Sequence, residues 1–165
     1  MKQKTLWLMC GVPGSGKSTW VKNRINTEIN TTSVWASRDN VRFSLLNDGD
    51  DYFAKEDEVF ETWIFMINSA IAQNIENIYI DATHLNEKAR NKVLDKLDIK
   101  DYVINPVNFI VPLEKCISNN NKRTGREFVP EAVIKRMFYS FHPAEKDEKY
   151  KYNKIIIMRG ENTNE

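Results

Sequence analysis

Four short stretches of this chain carry residue types that can handle phosphate. The run Gly11-Val12-Pro13-Gly14-Ser15-Gly16-Lys17-Ser18-Thr19 fits G-x-x-x-x-G-K-[ST]. Its glycines let successive backbone N–H groups turn toward one anion, and the helix that follows adds the positive end of its dipole. The expected anion is a nucleoside triphosphate, with Lys17 reaching its β- and γ-phosphates and the Ser18 hydroxyl taking one ligand position on Mg²⁺. Asp39 precedes Arg42 by three positions, so both project from one side of a helical turn. Asp81 ends an apolar run. Arg123 and Arg126 flank Gly125 in a polar, basic stretch that reads as a mobile lid. Phosphoryl transfer needs a group to take the acceptor's proton, cations to meet the charge developing on the phosphoryl, and a hold on the acceptor. Asp39 is the candidate base. The competing reading of the same pair is an intrahelical ion pair with Asp39 as the helix N-cap.

These residues can meet only if the elements around them bring them together. Leu6 to Cys10 read as a strand feeding the glycine-rich turn, and a helix follows over 17–28 with Trp20, Val21 and Ile25 inward. Residues 33–37 form a second strand that delivers Asp39 to a strand-to-helix junction, with Val41, Leu45 and Leu46 continuing a helical pattern. The acidic cluster in 47–51 lacks the spacing of a calcium loop and reads as a solvated turn. A long helix over 55–74 carries Val59, Phe60, Trp63, Ile64, Ile67, Ala70 and Ile71 at core spacing. A third strand, 77–81, ends at Asp81 in the manner of a Walker B strand, and Asn86 caps a helix reaching 97. Within 102–111, Pro106 predicts a break that leaves 107–111 as the paired part of a fourth strand. Pro112 and Pro130 each open a helix. A buried fifth strand is expected over 154–158, and a frayed tail over 161–165.

Strands alternating with helices behind a phosphate cradle specify an α/β fold: a five-stranded parallel sheet, helices on both faces and a helical lid, in one domain spanning 1–160. Lys and Arg number 24 against 23 Asp and Glu, a balance that offers no global attraction to a long duplex. Cys10 and Cys116 show neither a disulfide framework nor zinc spacing. The short N-terminal apolar run is neither a signal core nor a membrane span, so a cytoplasmic protein without membrane contact is expected. The N-K-x-D motif of a base-reading GTPase does not occur, and Ala82 stands where a motor ATPase places Glu after the strand-end Asp.

In their order along the chain, the cradle at 11–19, Ser-Arg-Asp-Asn-Val-Arg at 37–42, Asp-Ala-Thr-His-Leu-Asn at 81–86 and Arg-Thr-Gly-Arg-Glu-Phe-Val-Pro at 123–130 resemble the 5′-polynucleotide kinase domain of the P-loop kinase group. The resemblance covers nearly the whole chain. It implies an ATP- and Mg²⁺-dependent kinase of nucleic-acid repair, acting on the 5′-hydroxyl end of RNA or DNA at a single strand or nick. It implies that Gly11, Gly14, Ser15, Gly16, Lys17, Ser18 and Thr19 bind the nucleotide, that Ser18 and Asp81 hold the metal, and that Asp39 is the general base. Arg42 would hold the neighbouring 3′-phosphate, with Arg38, Asp81 and Thr83 also toward the acceptor, while Arg123 and Arg126 clamp the donor phosphates. The family's lid commonly has two arginines four apart, and the position four before Arg123 is Asn119. Relatives with similar motifs phosphorylate small molecules, so a kinase of a small metabolite or drug hydroxyl is the alternative, and a nucleotide-gated binding module is a third.

Overall fold

A computed structural model describes residues 1–160; the expected tail at 161–165 lies outside them. Five strands form one sheet: β1 (Lys4–Cys10), β2 (Ser33–Ser37), β3 (Asn77–Asp81), β4 (Tyr102–Ile110) and β5 (Ile156–Arg159). All pair in parallel in the order β2-β3-β1-β4-β5. Six α-helices connect or follow them: α1 (Lys17–Thr27), α2 (Arg38–Leu45), α3 (Glu56–Ala72), α4 (Glu87–Leu94), α5 (Leu113–Asn120) and α6 (Glu131–Ser140).

The period of two in β1 divides the core. Leu6, Leu8 and Cys10 join Ile78, Ile80 and Ile104 on one face, where α3 and α4 lay Val59, Trp63, Ile67, Val93 and Leu94. Trp7 and Met9 join Tyr79, Val107 and Phe109 on the other, under Val21, Cys116 and Ile134 of α1, α5 and α6. Helices thus cover both faces of the sheet. Fully buried Trp63 also donates its indole N–H to the carbonyl of Ala36, 2.9 Å away. That bond ties α3 to the end of β2, the edge carrying Asp39, and truncating Trp63 to Ala should cost about 3 to 5 kcal/mol.

Four expectations need correction. Pro106 does not split β4, which pairs with β1 from Tyr102 through Asn108. Ile104 turns its carbonyl away from β1 to accept from Asn153 N at 3.0 Å. Pro106, two residues on, faces the same way, so its missing N–H falls where β5 pairing has not begun. The strand β5 alternates in exposure, with Ile157 exposed, and lies at the sheet edge, where no further strand among the described residues pairs with it. The start of α2 is capped by Ser37, whose hydroxyl accepts from Asn40 N, and not by Asp39. Asn86 caps α4 as expected, through Ala89 N, but the helix stops at Leu94.

Candidate active site

Both halves of the site lie at the carboxyl edge of the sheet, where β1 has β3 on one side and β4 on the other and ligands of open α/β sheets bind. The donor half is built from backbone. Gly14 is in the left-handed region, φ +80°, and a Cβ there would stand 2.3 Å from the Cys116 carbonyl oxygen of α5. Only glycine permits that approach. The loop is held from two further sides: Gly11 N donates to the Thr83 carbonyl at 2.9 Å, and Asn119 Nδ2 donates to the Gly14 carbonyl at 2.9 Å. Asn119 thus occupies its position as a brace for the cradle. Ser15 Oγ is buried with no hydrogen-bond partner among the described residues, as expected of a hydroxyl lining an anion cradle.

Lys17 Nζ curls back to the carbonyls of Gly11 and Val12, each at 2.9 Å. Burial pushes its pKa down, Asp81 opposes that shift, Arg123 adds to it, and Asp39 opposes it. Asp81 is pushed up by burial and held back by Lys17 and by hydrogen bonds from Trp35 Nε1 at 2.9 Å and Ser18 Oγ at 3.2 Å. The Ser18 hydroxyl and the Asp81 carboxylate are therefore adjacent hard oxygen donors. Such a pair fits Mg²⁺, which takes few protein ligands and completes its octahedron with water and substrate phosphates.

The other half is built from side chains. The Asp39 side chain is 57% exposed, whereas that of Arg42 is 5% exposed. Arg42 is ion-paired to Asp39 and donates to both Glu56 oxygens at 3.0 and 2.8 Å and to the Tyr52 hydroxyl at 2.8 Å. Burial works against its charge, but Glu56, Tyr52 and Asp39 together hold its pKa above the ordinary value. Tyr52 also donates to Asp39 Oδ1 at 2.7 Å. Arg38 pairs with the same Glu56 and lies over the rings of Phe60 and Trp63. The terminal nitrogens of Arg42 are thus occupied, so an acceptor phosphate would have to displace one of these partners.

The polar stretch after α5 is more anchored than a free lid. The buried Asn120 side chain clamps both the N–H and the carbonyl of Val129. Arg123 is half-buried and lies in the field of Lys17, on the donor side. Exposed Arg126 instead reaches across to the loop after α2, with Nη2 2.6 Å from the Asn47 carbonyl and 3.5 Å from Asp48.

Sequence reasoning missed Trp35, Tyr52, Glu56 and Asn119, because nothing local marks them. Only the parallel register that sets Ser37 opposite Asp81 brings the Trp35 indole to that carboxylate. It also missed the support under the 81–86 motif. His84, at φ +43°, sets Nδ1 2.5 Å from the Met9 carbonyl, and burial lowers its pKa to about 3. It is neutral near pH 7, so Nδ1 donates. Arg90 donates to the His84 carbonyl at 2.7 Å and makes a buried bidentate pair with Asp147 at 2.6 and 2.7 Å.

Among the described residues no helix is long and apolar enough to cross a membrane. No curated protein matches the chain by sequence. Among solved structures, a chain of the Pnkp1/Rnl/Hen1 RNA repair complex is 25% identical with a TM-score of 0.70, covering 85% of this chain and 44% of that one. A fungal RNA kinase is 14% identical, TM-score 0.62, covering 100% of this chain and 79% of that one. A sugar kinase from Janibacter sp. HTCC2649 is 16% identical, TM-score 0.59, covering 94% and 85%. The chain therefore spans less than half the length of the repair-complex chain it resembles, and the last two likenesses show the fold. It is a P-loop kinase fold, which implies nucleotide binding. The family model described as AAA domain (AAA_33) matches residues 6–144, and with the glycine-rich cradle, Lys17 and the strand-end Asp81 assembled at one sheet edge, this chain belongs to that family of P-loop domains.

Proposed function

We propose that the protein transfers the γ-phosphate of ATP to the 5′-hydroxyl end of a polynucleotide. One observation carries the reading: the register that sets Ser37 opposite Asp81 leaves Asp39, an exposed carboxylate, two residues beyond Ser37 at the sheet edge where Asp81 accepts from Ser18. A proton acceptor so placed faces the position where a γ-phosphate would meet an incoming hydroxyl. The glycine-rich turn of residues 11–19 holds the donor, with Thr19 beside Ser18 at the start of α1. Asp39 takes the proton of the acceptor hydroxyl as its oxygen forms the new P–O bond, and the bond from the γ-phosphorus to the β–γ bridging oxygen breaks, leaving ADP. Lys17 and Arg123 offset the charge that develops on the transferred group. Arg126 ties the polar stretch after α5 to the loop after α2. When bound, Mg²⁺ held by Ser18 and Asp81 would neutralise charge on the β- and γ-oxygens.

Arg42 keeps Asp39 oriented, and its contact with the acceptor's 3′-phosphate is proposed as an exchange with Glu56. Arg38 and Thr83 flank the acceptor path. The polynucleotide assignment is supported by the ordered motifs and by likeness to a chain of an RNA repair complex. A second reading, a small-molecule hydroxyl as acceptor, is favoured by the occupied nitrogens of Arg42. Labelled phosphate transfer to 5′-hydroxyl RNA and DNA oligonucleotides, nucleosides and sugars separates the two. Transfer to oligonucleotide ends is the expected result, and turnover confined to a sugar or other small hydroxyl overturns it.

A further inference from the structure

The loop between α2 and α3 carries an aromatic side chain that neither the core nor the proton-transfer chemistry uses. Phe53 is 60% exposed. Of the other exposed aromatics, Phe65 and Tyr139 lie on helices α3 and α6, and Phe128 lies in the stretch between α5 and α6. Phe53 instead packs edge-to-face against Tyr52, with ring centroids 4.7 Å apart and planes at 84°. The Tyr52 hydroxyl is 2.7 Å from Asp39. The Arg42 guanidinium sits 4.3 Å from the centre of the Tyr52 ring and 6.0 Å from that of Phe53. Tyr52 therefore links the Phe53 ring to the proposed proton acceptor.

The backbone holds Phe53 outward in a fixed turn. Ala54 N donates to the Asp51 carbonyl at 3.0 Å, and Glu56 N donates to the Phe53 carbonyl at 3.3 Å. Lys55 turns its ammonium back onto the Leu45 carbonyl at 2.7 Å, pinning the loop to the end of α2. An exposed ring on a loop pinned by these bonds, packed on a tyrosine that contacts the proposed base, has less freedom to lose when a flat partner covers it.

We infer that Phe53, steadied by Tyr52, is the stacking platform for the base of the acceptor's 5′-terminal nucleotide. This rests on the reading of Asp39 as the base acting on a 5′-hydroxyl. With that hydroxyl at Asp39, the sugar spans the Tyr52 hydroxyl and the base lies over the exposed Phe53 face. Every base has such a face, so the platform selects for a nucleoside end without choosing among sequences. A sugar or polyol acceptor has nothing to place there.

The test compares wild type with Phe53→Ala, Phe53→Leu and Phe53→Trp on a 5′-hydroxyl oligonucleotide and on the same strand with an abasic 5′-terminal residue. Phe53→Ala should raise KM for the base-bearing strand about 5- to 100-fold, with kcat changed far less. The abasic strand should shift much less. Phe53→Leu, which keeps apolar bulk without a π-face, should behave like Ala, and Phe53→Trp should restore wild-type KM. Equal shifts on both strands, or none on the base-bearing one, overturn the platform. A measurement independent of turnover uses a strand with 2-aminopurine at its 5′ end, whose fluorescence wild type should quench and Phe53→Ala should not. Quenching without phosphate transfer leaves the platform standing and defeats the kinase reading. Transfer without quenching or a KM shift does the reverse, and absence of both defeats both.

Discussion

The donor and acceptor halves of the site are made from different materials. The cradle is a backbone turn over residues 11–19, kept in place because Gly14 lets the Cys116 carbonyl approach and because Asn119 and Thr83 brace the loop. The acceptor half is side chains: Asp39, Arg42, Tyr52 and Glu56 contributed by α2, the loop after it and the first turn of α3. A backbone cradle recognises phosphate whatever is attached to it. A network of side chains can be altered one residue at a time, so on the proposed reading acceptor choice resides there. Changes in the donor half should consequently cost the same with every acceptor, and changes in the acceptor half should not.

The largest effect should come from Lys17→Ala. Its ammonium is half-buried among carbonyls, where solvent cannot replace it, so transfer should fall on the order of 10³-fold or more, equally for oligonucleotide and nucleoside acceptors. Steady-state rates on both, with circular dichroism to verify folding, check this. An acceptor-dependent loss would break the division between the halves.

Asp39→Asn should come next, at about 10² to 10⁴ in kcat, with ATP affinity unchanged by calorimetry. The cap of α2 belongs to Ser37, so the helix start does not depend on this carboxylate. A loss of nucleotide affinity as large as the loss of rate would place Asp39 in the donor half instead.

Glu56→Gln tests whether Arg42 is a positioning residue. Removing the charge that anchors the guanidinium should misplace Asp39 and lower kcat about 10- to 100-fold. Nucleoside 3′-phosphates should be affected less than plain nucleosides, because the freed guanidinium gains a phosphate partner. Paired kinetics on these acceptors read the difference. Equal losses would make the Arg42 contact with the acceptor phosphate untenable.

The smallest effect at neutral pH concerns His84, which lies under both halves. Its folded pKa, about 3, is below the ordinary value of 6.5, so the unfolded chain binds more protons between these values. Its contribution to stability is complete above pH 6.5 and is lost progressively as pH falls toward 3. Urea midpoints should therefore drop on acidification through this window, and His84→Gln should flatten that slope while changing activity at pH 8 little. An unchanged slope would show that other groups carry the acid sensitivity.

The halves also differed in legibility. The cradle was readable because it is contiguous: nine residues in a row state both the turn and the ligand. The strand runs were readable because apolar clusters such as 77–81 have one economical use. Pro106 misled because its tolerance in β4 depends on where β5 starts to pair, 50 residues further along. The lid was overstated because Asn120, locally a polar residue in a polar stretch, is a buried clamp on Val129.

By itself, the sequence determined the order of strands and helices, the cradle with Lys17 and Ser18, and the placement of Asp39 and Asp81 at strand ends, since each follows from spacing within a few residues. Only the tertiary structure decided that Trp35 and Ser18 share Asp81, that Glu56 and Tyr52 saturate Arg42, and that Asn119 braces Gly14. Those contacts join residues 10 to 105 positions apart. Local propensity does not encode them: sheet register and helix packing choose the partner once the chain has closed, and the desolvation of Arg42 and Asp81 sets how tightly each is held.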